Sequence, residues 1–239
     1  MIADQLDTIL FVVFGIPGAG KTTIAKHVVQ KLTPNTATTV DNDTEESATI
    51  PQNNDVLNLD LDDCVPEWMR LNFAQGIYPT LQQRNQFAVS CCDYVNESIQ
   101  QFTESSITDG TSSSTSIAKQ QKLIVIVSFS FVNDDLRINF RNHFPNSHWI
   151  LIHTCEIEAQ RRIQQRSNHF YKGKTPNHES DSNESVRQQS STENNDWNFA
   201  HVTFPHIIVN GHHPIEETSS EIVELIRTTL RTSSTMNGD

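Results

Sequence analysis

Residues 9–22 read Ile9-Leu10-Phe11-Val12-Val13-Phe14-Gly15-Ile16-Pro17-Gly18-Ala19-Gly20-Lys21-Thr22. The first six are apolar without a break, as in a strand covered on both faces, and far short of the roughly 20 residues that a membrane-spanning helix needs. The next eight match G-x-x-x-x-G-K-[ST] in full, and Thr23-Ile24-Ala25-Lys26-His27-Val28-Val29 continues at helical spacing. Strand, glycine-rich loop and helix, in that order, form a seat for phosphate. Gly15, Gly18 and Gly20 let the backbone curl so that successive amides, from Gly18 and Ala19 through Thr22 and Thr23, face an anion. The helix adds its positive end, Lys21 reaches the β- and γ-phosphates, and Thr22 holds Mg²⁺. A chance glycine-rich turn would lack the two flanks.

Outward from this segment the chain alternates. Strands are predicted at 9–14, 56–60, 123–128, 149–153 and 206–209, and helices at 21–32, 66–75, 81–102, 134–143, 156–166 and 215–231, with Pro66 and Pro214 at helix starts. Strands that recur between helices call for right-handed crossovers and an α/β fold with a parallel sheet. Three stretches, 33–55, 104–121 and 173–196, are dominated by Ser, Thr, Asn, Gln, Asp and Glu and bury too little apolar surface to offset the entropy of ordering. They read as surface insertions in one domain spanning residues 1–239. No internal repeat is evident.

Of the 239 residues, 36% are hydrophobic and 19% charged, and 17 Lys and Arg stand against 29 Asp and Glu, a net charge of −12. Nucleic-acid affinity rests on clustered cations, so this balance argues against a nucleic-acid partner. The mean hydropathy of −0.47 and the short apolar runs argue against a membrane. Cys64, Cys91, Cys92 and Cys155 lack paired zinc spacing and read as free thiols. Asp4 and Asp7 stand where a targeting peptide would carry Lys or Arg, so a cytoplasmic protein is expected, a monomer or homodimer acting on a small molecule.

The second strand ends on acids: Val56-Leu57-Asn58-Leu59-Asp60-Leu61-Asp62-Asp63. Ligands of open α/β sheets gather at the carboxyl ends of strands, so these acids are expected to face the phosphate loop. Strand alternation points Asp60 and Asp62 to one side. One would hold a metal, for which Asp60 joins Thr22, while the other, Asp62, accepts a proton from a substrate hydroxyl. Asp63 is as well explained as a cap of the next helix. Arg162 and Arg166, four apart, share a helix face from which they could close over a transferring phosphate, with a solvated face of a polar segment as the alternative.

Taken together, the phosphate loop, Asp60-Leu61-Asp62-Asp63-Cys64-Val65-Pro66 and Arg162-Ile163-Gln164-Gln165-Arg166-Ser167-Asn168-His169-Phe170-Tyr171 resemble the gluconate kinases, relatives of shikimate and adenylate kinases. The stretch Gly76-Ile77-Tyr78-Pro79-Thr80 leading to Arg84 is also similar to that family's segment before a substrate-side arginine. The resemblance implies a P-loop kinase fold with a five-stranded parallel sheet flanked by helices. It also implies ATP with Mg²⁺ as cofactors, Arg162 and Arg166 in a lid, Arg84 with Asp62 at the acceptor, and phosphoryl transfer to a hydroxyl of a small metabolite such as gluconate.

One departure bears on the acceptor. Where that family shows Lys and Arg after the third strand, this chain has Phe129-Ser130-Phe131-Val132-Asn133-Asp134-Asp135, so an acidic substrate would depend on Arg84, Arg137 or Arg141. Arg137 and Arg141 read more plainly as an exposed helix face. A shikimate-like or nucleoside monophosphate kinase, and a nucleotide-binding module without an acceptor site, therefore stay open. A nucleobase acceptor would want a larger apolar slot.

Overall fold

The apolar run at 9–14 lies in β1 (Asp7–Phe14), and the elements that follow are α1 (Lys21–Leu32), β2 (Asp55–Asp60), a 3₁₀ turn (Leu61–Cys64), α2 (Glu67–Ala74) and α3 (Leu81–Thr108). Then come β3 (Lys122–Phe129), α4 (Asp134–His143), β4 (His148–His153), α5 (Glu156–Gln164), β5 (Ile207–Asn210) and α6 (Ile215–Thr235). The structure is a computed structural model that describes residues 7–33, 55–108, 122–166, 170–171 and 199–235. Residues 34–54, 109–121 and 173–196 of the polar stretches, together with His169 and Trp197, lie outside the described residues.

The strands form one parallel sheet in the order β2-β3-β1-β4-β5. Alternation along its central strands builds two cores. Leu10, Val12 and Phe14 join Leu123, Val125 and Val127 under Met69 and Phe73 of α2, Phe87 and Cys91 of α3, and Leu136 and Phe140 of α4. Ile9, Phe11 and Val13 join Ile124, Ile126, Ile150 and Ile152 under Ile24 and Val28 of α1 and Ile222 and Ile226 of α6. Each such side chain contributes about 1.5–3 kcal/mol by leaving water.

This topology decides where a ligand can sit. The chain moves to β2 and β3 on one side of β1 and then crosses to β4 on the other, so a crevice opens at the carboxyl end of β1. Asp60 is level with Ser128, and Ser128 with Val13, so the three strand ends align. Asp60 thus stands two strand spacings, about 10 Å, from β1.

Several local expectations change. β5 is an edge strand: Ile207 and Ile208 are exposed and only Val209 is buried, so it is not covered on both faces. Asp55 opens β2, and α3 continues to Thr108, which puts residues 104–108 in a helix and not in a surface insertion. No Gly or Pro interrupts that stretch, and Ile99 and Phe102 still pack on the core. Pro66 precedes α2 as its cap residue. All four cysteines are free thiols. Among the described residues no helix is long and apolar enough to cross a membrane.

Candidate active site

Helix α1 begins without the usual devices of a helix start. Its cap residue, Gly20, sits at φ 90° in the left-handed region and supplies no side-chain acceptor, and its first turn carries no acid. The leading N–H groups of a helix need partners, and an anion bound at this end could supply them. Gly18, at φ +87°, is required for a second reason: a β-carbon there would strike the carbonyl oxygen of Ala159 in α5.

A cleft opens over this loop, lined by Pro17, Gly18, Gly20, Lys21 and Thr22 from the loop and α1, by Asp60 from the end of β2 and by Asp62 from the turn after it. Val65, Phe73, Phe129, Ser130, Arg166, Phe170 and Tyr171 complete its wall. Gly15, Ala19 and Thr23 do not line it. Gly15 backs onto the carbonyl of Ile152, where a β-carbon would come within 2.6 Å of the oxygen; Ala19 is core, and Thr23 is exposed.

Lys21 is 8% exposed, and its Nζ donates to the Ile16 carbonyl at 2.9 Å. Burial lowers its pKa to about 8, opposed by the attraction of Asp62 and Asp60 and assisted by Arg166. A bound phosphate favours the charged amine and raises that value. Nucleotide affinity should therefore be flat below pH 8 and fall as pH rises through it, by up to about tenfold per unit, with proton uptake on binding. Isothermal titration in two buffers of different ionisation heat reads both effects.

The acids are not arranged by strand alternation as expected. β2 ends at Asp60, and Asp62 belongs to the 3₁₀ turn, where its N–H donates to Asp60 Oδ1 at 3.1 Å. Asp60 therefore caps the turn while Asp62 is carried round to the cleft. Burial, then the charge of Asp62, raises the Asp60 pKa; bonds from the Asp62 amide and the Thr22 hydroxyl oppose the rise. Asp63 is exposed, and the cap residue of α2 is Pro66.

The donor set at Thr22 and Asp60 suits Mg²⁺, which takes one or two carboxylates and completes its shell with phosphate and water. The Thr22 hydroxyl already donates to the Asp60 carboxylate. The hydroxyl of Ser128, level with Asp60 on the neighbouring strand and 1% exposed, has no hydrogen-bond partner and could accept or donate to a metal-bound water. Among the described residues no three His, Cys, Asp or Glu side chains form a metal cage.

The arginines divide differently from expectation. Helix α5 ends at Gln164, so Arg162 and Arg166 do not share a helix face; Arg166 reaches the cleft and Arg162 stands behind the loop. Arg162 donates to Glu158 at 2.8 Å, to the Gly211 carbonyl at 3.3 Å and to that of Ala19 at 3.5 Å. Bonds from Arg161 and Arg162 hold the Glu158 carboxyl down at about 2.

Arg84, expected at the acceptor, does not line the cleft. It is 8% exposed, paired with Asp135 at 2.8 Å and bonded to the Pro79 carbonyl at 2.9 Å, so it ties α3 to α4. Replacing Arg84 with Met should destabilise the fold by about 3 kcal/mol, because it strands a half-buried carboxylate, and leave acceptor KM within about twofold. Denaturant titration and steady-state kinetics check the two halves.

Arg137 is neither an exposed face nor an acceptor ligand. Fully buried, it donates to the carbonyls of Phe131 (2.7 Å), Val132 (3.2 Å), Ala200 (2.8 Å) and His201 (3.2 Å), with its guanidinium 4.4 Å from the ring of Phe199. Burial lowers its pKa to about 10, still charged at neutral pH. This clamp holds Phe131 at φ 45°, a strained value for a bulky side chain, in the bend that delivers Ser130 to the cleft. The sequence reading also passed over Arg70, which donates to the carbonyls of Asp62 (2.6 Å) and Val65 (2.8 Å) and lies 5.1 Å from the ring of Phe170.

A five-stranded parallel sheet in this order, with the glycine loop after its central strand, is the fold of the P-loop small-molecule kinases. Two solved structures illustrate it. A sugar kinase from Janibacter sp. HTCC2649 superposes with a TM-score of 0.56 at 14% identity, covering 92% of this chain and 95% of that one. A gluconokinase from Sinorhizobium meliloti 1021 superposes with a TM-score of 0.50 at 13% identity, covering 95% and 97%. At these identities the likeness is one of fold. No family model and no curated protein matches the chain.

Proposed function

We propose that the protein is a kinase that transfers the terminal phosphoryl group of ATP to a hydroxyl of a small metabolite. The observation that supports it is the meeting of Lys21, Thr22, Asp60, Asp62 and Arg166 on one cleft over the uncapped start of α1. Phosphoryl transfer to an alcohol asks for little covalent chemistry from a protein: a seat for the phosphates, balance for their charge, and a base for the hydroxyl proton. The loop amides and Lys21 provide the seat. When bound, Mg²⁺ neutralises phosphate charge beside Thr22 and Asp60. Arg166 adds a second cation near Lys21, and Asp62, which lines the same cleft, takes the proton in this reading.

The sequence resemblance nominates a sugar acid such as gluconate as the acceptor. A nucleotide-binding module without transfer is the second reading, favoured by the absence of the Lys-Arg pair after β3. Coupled ADP release over a metabolite panel separates the two. A kinase turns over in proportion to one acceptor, whereas a module shows slow hydrolysis that no acceptor alters.

A further inference from the structure

The carboxylate assigned as base is held through its backbone from two sides. Toward the phosphate loop, the Asp62 N–H donates to Asp60 Oδ1 at 3.1 Å, and the same carboxylate receives the Thr22 hydroxyl. Toward α2, the Asp62 carbonyl accepts from Arg70 Nη2 at 2.6 Å, and Nε of the same guanidinium donates to the Val65 carbonyl at 2.8 Å. These two carbonyls bracket the end of the 3₁₀ turn, whose closing backbone bond, from the Val65 N–H to the Asp62 carbonyl, is long at 3.3 Å. A cation at the carbonyl end of such a turn opposes its dipole and makes charge-assisted bonds, roughly twice as strong as neutral ones. Arg70 thus fastens the turn that carries Asp62 into the cleft.

Arg70 itself does not line the cleft, so it is not placed to touch nucleotide or acceptor. Its guanidinium lies 5.1 Å from the ring centre of Phe170, a residue that does line it. Phe73, one turn on along α2, stacks with the same ring at 6.0 Å and 29°. One guanidinium therefore joins α2, the acidic turn and the Phe170 ring. A planar fork suits that task, whereas lysine, a point charge on a flexible stem, would not serve two carbonyls and a ring at once.

We propose, resting on the kinase reading above, that Arg70 is a positioning residue that acts through Asp62. It fixes the pitch of the 3₁₀ turn and with it the approach of the Asp62 carboxylate to the acceptor hydroxyl. Reacting groups tolerate little displacement, and a shift of about 1 Å can cost about 10²-fold in rate. Nucleotide binding rests on the loop and Lys21 and does not pass through Arg70.

The test is a double-mutant cycle on the full chain with ATP and Mg²⁺. ADP release is read with gluconate, shikimate, glycerol and adenosine in turn as acceptor, and the cycle is run with the best of them. Arg70→Met should lower kcat about 10- to 100-fold, with ATP affinity, titrated separately, within about threefold of the wild type. Made in the Asp62→Asn protein, the same change should lower kcat less than about twofold, since the carboxylate it positions is already gone. A role in the fold alone would give the same loss in both backgrounds. Arg70→Lys should recover only part of the loss and show the same dependence on Asp62, and it decides the matter if the methionine variant does not fold. A loss of equal size in both backgrounds, or no loss in the wild type, overturns the inference and leaves the kinase reading standing. Acceptor-dependent release with none of the four overturns the kinase reading, and the role of Arg70 with it.

Discussion

Asp62→Asn is expected to lower kcat by about 10²- to 10⁴-fold, the range a general base contributes, with ATP affinity within about twofold of the wild type. Two backbone bonds help to hold this residue in place. Its N–H is bonded to Asp60 and its carbonyl to Arg70, so asparagine keeps both of these bonds while it loses the proton acceptor and the charge. ADP-release kinetics and a separate nucleotide titration measure the two quantities. An unaltered rate would take the base assignment away from Asp62.

Lys21→Met should cost more: about 10³-fold or greater in kcat/KM, with nucleotide affinity weakened about tenfold or more. Methionine fills similar space, so a melting temperature near that of the wild type would show that the fold survives. What disappears is a desolvated charge in a site where charges are screened little. The amine is nine-tenths buried and now rests on a carbonyl, so its exchange onto a phosphate oxygen swaps a neutral partner for an anionic one. Retained activity would mean that phosphate is not seated on this loop, and the proposed function would fall with it.

The strand, loop and helix at 9–32 were legible because every local signal there agrees: an unbroken apolar run, glycines where the backbone turns left-handed, and a helix with a buried stripe. Order and type of the remaining elements followed from periodicity. The fate of the arginines was not legible. Arg137 is bonded to carbonyls 63 and 64 residues away, and Arg84 to a carboxylate 51 away. Spacing along one helix says nothing about partners that the fold brings from elsewhere. Asp62 was expected in the cleft for the wrong reason, since strand alternation stops at Asp60 and the 3₁₀ turn does the placing. The aromatic wall was half visible: Phe170 and Tyr171 stood in a quoted motif, but Phe73 comes from a helix whose inward face only the sheet reveals.

The bond from the Asp62 amide to Asp60 has a genetic consequence. Asp60 receives the Thr22 hydroxyl as well, so one carboxylate fixes the pitch of the turn and the rotamer of a loop residue together. Loss of the Asp60 carboxylate should therefore remove part of what Asp62 contributes as well, so that the double variant is less impaired than the product of the two single effects. A lineage that lost the Asp60 carboxylate would find no compensation at residue 62, whereas a change at residue 62 would leave Asp60 its backbone partner.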